Sequence, residues 1–268
     1  MQQTPIHNKI DATRLRELLE GSGKGLSLCV FDEIDSTNSE AKRMAVEGKS
    51  TPALIVAAAQ SAGRGRLGRS FYSPVDTGVY FSILFDAEAS METTLSITGA
   101  ASVAVMRAIR RLCGKQTAIK WVNDLYLYGK KVCGILTEAV SGLSDFPKVI
   151  LGIGVNLSTE VFPPALSQKA GSLGESALSR EALIAEIVRE LWPYLQNPTD
   201  QSWLDDYRAH SCVIGKEIRW GEGEGTHTGR AVGIDGRGAL EVRLPDGSTE
   251  YLRTGEISIF THETDVRV

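Results

Sequence analysis

Three stretches of this chain, 53–59 (ALIVAAA), 78–85 (GVYFSILF) and 148–157 (KVILGIGVNL), are apolar with hardly a polar interruption. Each is too short to cross a membrane and too evenly apolar for an exposed strand. They read as buried strands, so the chain must supply helices to cover them. A helix is expected from Asp11 to Glu20, with Asp11 as N-cap and Gly21 as stop. LSLCVFDEI reads as a strand. In DSTNSEAKRMAVEG, Thr37 and Glu40 have capping-box spacing and Gly48 can close the helix. A long helix is expected over 95–114, and TAIKWV, LYLY and KVCGILTEAV read as hairpin strands with a tight turn at Gly129-Lys130. After a Pro, Ser and Gly-rich loop from Ser158 to Leu178, helices are expected at 179–196 and 201–209.

Beyond Cys212 the texture changes to five short strands separated by Gly and Asp-Gly turns, the pattern of a small barrel. The expected division is 1–211 and 212–268. Strands and helices mix in the first unit without strict βαβ alternation, so the fold class is α+β.

Composition narrows the function. The 268 residues carry 29 Lys+Arg against 33 Asp+Glu, a net charge of −4 that argues against a nucleic-acid coat. Cys29, Cys113, Cys133 and Cys212 lie far apart with no CxxC pair, which disfavours a thiolate zinc site and suits free thiols in a reducing cytoplasm. No secretory leader is evident, and no membrane partner is expected. His7, His210, His227 and His262 are scattered outside any HExxH or Ser/His/Asp context.

The most informative stretch is Gln60-Ser-Ala-Gly-Arg-Gly-Arg-Leu-Gly-Arg-Ser-Phe71. Glycines let backbone approach a ligand, and each Arg offers a fork of donors for a carboxylate or phosphate. The Walker pattern GxxxxGK[ST] is absent. The same composition also describes a solvated basic loop, and it predicts no fixed shape in the empty protein. Lys120-Trp121-Val122-Asn123-Asp124 and Lys131-Val132-Cys133-Gly134-Ile135-Leu136-Thr137-Glu138 put cations, an amide, a carboxylate and a glycine in one hairpin. By strand alternation Lys120 and Val122 oppose Trp121 and Asn123. Asp35-Ser36-Thr37-Asn38 is a polar cluster at a helix start, either a cap or a ligand site. In Gly152-Ile153-Gly154-Val155-Asn156 the glycines can admit a neighbouring backbone, and Asn156 can read an adenine edge or cap the turn.

In this order the five motifs resemble those of the biotin protein ligases over about residues 30–157, and Gly255-Glu256-Ile257-Ser258 is similar to the family's C-terminal domain. The resemblance implies a mixed-sheet catalytic domain of the biotin/lipoate ligase type followed by an SH3-like barrel. It implies that biotin and MgATP give biotinyl-5′-AMP, and that biotin then passes to a lysine of a biotin carboxyl carrier protein domain of acetyl-CoA carboxylase. It puts Ser36, Thr37, Asn38, Gln60, Arg64, Gly65 and Gly134 at biotin. Arg66 and Lys131 fall at the carboxylate and α-phosphate, and Arg69, Phe71, Asn123 and Asn156 on the adenylate side. Arg66, Lys120, Asp124 and Lys131 form the catalytic set, and the Mg²⁺ ligands stay unassigned. Val122 stands where the family usually has Pro, and Phe71 where some relatives carry Trp.

Fewer than 30 residues precede the first matched strand, too few for a helix-turn-helix module, so no DNA partner is expected. A homodimer through an exposed sheet edge stays open. The competing readings are a lipoate or octanoate ligase of the same fold, and a non-enzymatic biotin-sensing or nucleic-acid-binding module.

Overall fold

The computed structural model describes residues 9–21, 25–88, 90–140, 147–221 and 225–260. The N-terminal eight residues, with His7, and 261–268, with His262, lie outside them. A seven-stranded sheet has the order β1-β2-β3-β7-β6-β5-β4. Its strands are β1 (Ser27–Ile34), β2 (Ala53–Gln60), β3 (Gly78–Asp86), β4 (Ala118–Lys120), β5 (Asp124–Leu127), β6 (Lys130–Val140) and β7 (Lys148–Asn156). Only β1 and β2 run parallel, and the other pairings are antiparallel. The sheet is therefore mixed and the class α+β, as expected.

The three apolar runs are β2, β3 and β7, adjacent at the centre of the sheet. Helix α3 (Met91–Cys113) packs with α4 (Arg180–Gln196) and α1 (Ala12–Leu19) on one face, and α2 (Thr37–Val46) packs against β2, β3 and β7. Burial on two faces explains why these strands show no polar alternation. α1 is capped by Asp11, whose carboxylate accepts from the Thr13 and Arg14 amides, and Leu15 and Leu19, four apart, are buried. α3 starts before residue 95, at Met91, because Ser90 supplies the cap by accepting from the Thr93 amide. It ends at left-handed Gly114, φ 66°. The β5–β6 turn is centred on Tyr128 and Gly129, φ 50° and 74°, one residue earlier than expected.

The remaining elements are α5 (Leu204–Ala209), β8 (Glu217–Trp220), β9 (His227–Ile234), β10 (Leu240–Arg243), β11 (Thr249–Leu252) and β12 (Ile257–Ile259). The last five form an antiparallel sheet of order β11-β10-β9-β8-β12. Its inner residues, among them Ile218, Ala231, Leu240 and Val242, are continuous with the main core. The buried Trp121 indole donates to the Gly238 carbonyl at 3.0 Å, and the Tyr207 hydroxyl donates to the Val122 carbonyl at 3.1 Å. These bonds fix the C-terminal sheet and α5 against the segment after β4. Residues 121–123 form a turn there, so strand alternation does not govern them: Trp121 and Val122 are both buried.

Candidate active site

A cavity of about 640 Å³ lies where the C-terminal ends of β1 and β2 meet β4–β7, with residues 255–258 of the C-terminal sheet along one side. The residues that the family resemblance assigns to the site line it, from Ser36 to Asn156, whereas Asp35 of the polar cluster does not and pairs with Arg43 instead.

The polar cluster at α2 closes one end. Ser36, not Thr37, is the N-cap, and it makes no side-chain cap bond. The expected capping box does not form, because the Thr37 amide donates instead to Gln60 Oε1 at 2.8 Å and Glu40 binds Arg43. The bidentate Arg43 guanidinium holds the Asp35 carboxyl down at about 2. Asn38 Nδ2 donates to Glu138 Oε2 at 2.8 Å, and Glu138 also takes both arms of Arg64 at 2.8 and 3.0 Å. The buried Ser82 hydroxyl donates to Asn38 Oδ1 at 2.6 Å.

The glycine-arginine loop has a defined shape among the described residues. The Gly65 amide donates to Arg69 O at 2.7 Å, Arg69 to Arg66 O at 3.1 Å, and Phe71 to Gly63 O at 2.8 Å. Leu67 and Gly68 are left-handed, φ 55° and 73°, which turns the chain back on itself. Each arginine has an acceptor in this arrangement, so none of the three is only solvated. Arg64 is on Glu138, Arg69 pairs with both oxygens of Glu256, and Arg66 donates to Asn123 Oδ1 at 3.2 Å and Gly255 O at 3.1 Å. Arg66 is half-buried; desolvation draws its pKa downward against the opposing pull of the Asp124 and Glu256 charges. A guanidinium stays charged through such a shift.

On the hairpin, Lys131 Nζ meets Asp124 Oδ1 at 2.6 Å, and Lys120 Nζ lies 5.7 Å from the Tyr126 ring centre. Burial pushes the Tyr126 phenol up to about 12. Asn123 is used at both ends of its amide, accepting from Arg66 and donating to Ile135 O at 2.7 Å. Asn156 donates to Gly171 O at 2.9 Å, while its buried Oδ1 has no hydrogen-bond partner among the described residues. That acceptor fits an exocyclic amine such as adenine N6. The glycines of β7 admit side chains rather than backbone. A Cβ on Gly152 would lie 1.9 Å from Asn38 Oδ1, and one on Gly154 would lie 2.5 Å from the Phe71 ring.

Sequence reasoning gave no role to Ser82, Glu138 or Glu256. Glu138 stood inside a quoted motif, and the Gly-x-Gly alternation in a buried strand was a signal that something bulky lies over it. Ser82 carried the faint signal of a lone hydroxyl within an apolar run.

Three arginines and two lysines around a slot with a closed polar end suit condensation of two anions. Residues 30–156 match the model of the Biotin/lipoate A/B protein ligase family, and residues 213–259 match the Biotin protein ligase C terminal domain. The chain is 32% identical over 251 residues to the bifunctional ligase/repressor BirA of Bacillus subtilis, spanning 89% of this chain and 76% of that protein. It is 32% identical over 230 residues to the biotin–[acetyl-CoA-carboxylase] ligase of Paracoccus denitrificans, spanning 80% and 92% respectively. The biotin protein ligase of Aquifex aeolicus, solved with biotin and ATP, superposes with a TM-score of 0.74 at 27% identity, covering 88% of this chain and 99% of that one. The class is thus that of the biotin and lipoate ligases. The chain belongs to the biotin protein ligase family.

Proposed function

We infer that this chain is an ATP-dependent ligase that activates biotin and attaches it to a lysine of a biotin carboxyl carrier protein. The observation that carries this reading is one continuous cavity with a closed hydroxyl and amide end and a cationic middle. A carboxylate oxygen of biotin attacks the α-phosphorus of ATP, the bond to the β-phosphate oxygen breaks, and pyrophosphate leaves with the electron pair. The carrier lysine then attacks the acyl carbon as a free amine, AMP leaves, and the amine proton is lost to a base.

In this reading Ser36, Thr37, Asn38 and Gln60 face the ring of biotin, with Arg64 locked behind them. Arg66 and Lys131 offset the repulsion between carboxylate and α-phosphate, the largest electrostatic obstacle to the first step. Lys120 adds a third cation. Phe71, spread over Gly134 and Gly154, excludes water from the reactive anhydride. Arg69, Asn123 and Asn156 belong to the nucleotide side, and Asp124 is assigned as the base for the entering lysine, with Lys131 as its present partner. No three acidic, histidine or cysteine side chains gather as a metal site among the described residues, and both Asp124 and Glu256 are paired with cations. The residues fit Mg²⁺ entering as part of MgATP and held chiefly by phosphate oxygens, where it would neutralise phosphate charge. A catalytic unit over 1–211 and a C-terminal unit over 212–268, acting in the cytoplasm, complete the reading. No helix among the described residues is long and apolar enough to cross a membrane.

A lipoate or octanoate ligase has no use for the polar closed end, and a sensing module has no use for the cationic middle. Pyrophosphate release that needs both biotin and ATP tests the reading; release from ATP with octanoate but not with biotin, or none with either, overturns it.

A further inference from the structure

One cross-strand row of the main sheet runs Tyr80, Gly154, Gly134, Asp124, Lys120, each residue the register partner of the next. Residues opposite one another share a face, and the last four members of the row line the cavity. The two glycines leave the middle of the row empty, and the Phe71 ring lies there: a Cβ on Gly154 would be 2.5 Å from it and one on Gly134 3.2 Å. At one end of this gap is the Lys131 stem, 3.1 Å from the same Gly134 position, with Asp124 on its ammonium. At the other end stands Tyr80, in edge-on contact with Phe71, ring centroids 6.4 Å apart at 69°. Tyr80 is fully buried, and its hydroxyl donates to Pro74 O at 3.0 Å, in the segment that leads from Phe71 into β3. Gly78 makes room for this, since a Cβ there would collide with the Tyr80 oxygen. The backbone of Phe71 is fixed separately, its amide on Gly63 O at 2.8 Å and its carbonyl accepting from Ser73 Oγ at 3.0 Å. What remains to be set is the placing of the ring, and a glycine floor has no side chain to resist its sliding.

We propose that Tyr80 is the positioning residue that stops the Phe71 ring over Gly134 and Gly154, and so keeps the activated acid covered until the carrier lysine arrives. The proposal rests on the biotin ligase reading. Tyr80 touches no ligand and moves no proton: it acts through Phe71. With Tyr80 in place the ring stays beside Lys131 and shields the carboxyl group held there. Without it the ring slides along the glycines toward β3 into the void that the missing phenol leaves, and water enters on the Lys131 side. Water then attacks the acyl carbon, the bond to the phosphate oxygen breaks, and AMP leaves with the electron pair. The proton goes to solvent, biotin is regenerated, and one ATP has been consumed without transfer.

AMP production at saturating biotin and ATP, with pyrophosphatase present and no carrier domain, reads how fast the adenylate is lost. Phe71→Leu should raise this rate most, and Tyr80→Leu by about threefold to tenfold, the worth of one aromatic edge contact. Tyr80→Phe keeps the ring and should stay near the parent. The double variant Phe71→Leu, Tyr80→Leu should lose adenylate no faster than Phe71→Leu alone, because Tyr80 then has no ring left to hold. If Tyr80→Leu does not fold, Gly78→Ala, which displaces the phenol from its other side, carries the same cycle with Phe71→Leu. Effects that multiply in the double variant overturn the proposal, since Tyr80 would then act on something other than Phe71. A parent-like rate in Tyr80→Leu overturns it too, as does equal leakage from Tyr80→Leu and Tyr80→Phe. Each of these leaves the ligase reading standing, whereas a parent that forms no AMP from biotin and ATP overturns both.

Discussion

Replacing Arg66 by Ala should abolish most adenylate formation while costing little stability. In the empty protein the guanidinium makes two bonds to neutral acceptors, Asn123 Oδ1 at 3.2 Å and Gly255 O at 3.1 Å. Both are at the long end of the normal range. Coming from a charged donor but stretched, each contributes about 1.5 kcal/mol net, the low end for such bonds. Burial of the charge, visible in the lowered pKa, works against that gain. The net loss on truncation is then about 1 kcal/mol, which lowers the melting temperature of a chain this size by about 2–4 °C. The transition state is different. There Arg66 faces the charge of a carboxylate closing on a phosphate in a site without bulk water, and losing one such donor costs about 3–4 kcal/mol, or roughly 10²–10³ in rate. Biotin-dependent exchange of labelled pyrophosphate into ATP measures the first half-reaction, and calorimetric melting measures stability. Parent-like exchange would refute the role. A melting point lower by tens of degrees would show that the loop, and not the charge, was lost.

Lys131→Met should weaken both biotin and adenylate binding by about tenfold or more, since it removes a point charge from between two anionic groups; unchanged affinity for both, by calorimetry, would place the ammonium outside the site. Amides 60–72 should gain hydrogen-exchange protection on adding biotin and ATP, and Glu256→Gln, which removes the Arg69 ion pair, should widen that gain by loosening the empty state; equal protection with and without ligand would contradict this. Asp35, held at about 2 against an ordinary 3.8, contributes stability above pH 3.8 that disappears as pH falls through 2. Arg43→Met should therefore melt lower than the parent at pH 5, by a small margin because both side chains are nearly half exposed, and the gap should shrink steadily as pH falls from 3.8 through 2; a gap of constant size over that range would assign the effect to lost packing. Asp124→Asn, read in single-turnover transfer from preformed adenylate to a carrier domain, should transfer slowly with the defect easing at higher pH; loss of both half-reactions together would make Asp124 only the holder of Lys131, its partner at 2.6 Å.

The parts of this site that were legible in the sequence are those whose partners are near in the chain or whose environment is uniform. β2, β3 and β7 declared themselves because burial on both faces removes the polar alternation, and Asp11 and Gly114 because caps act within one helical turn. What stayed hidden depends on contacts that close over long separations. Asn38 meets Glu138 across 100 residues, Arg64 meets it across 74, and Trp121 reaches Gly238 across 117. The misplaced cap of α2 has the same origin: a local rule assigned the first-turn bonds to Thr37 and Glu40, but Gln60, 23 residues on, accepts from the Thr37 amide. The charged loop shows the point most clearly. Its composition predicts self-repulsion, and an isolated loop of that sequence would have no reason to settle. In the folded chain, Glu138 from the main sheet, and Gly255 and Glu256 beside the C-terminal sheet, answer the three arginines one by one. The C-terminal unit is therefore part of the site's electrostatics, because without residues 255 and 256 two of the three guanidinium groups lose acceptors that hold them in place.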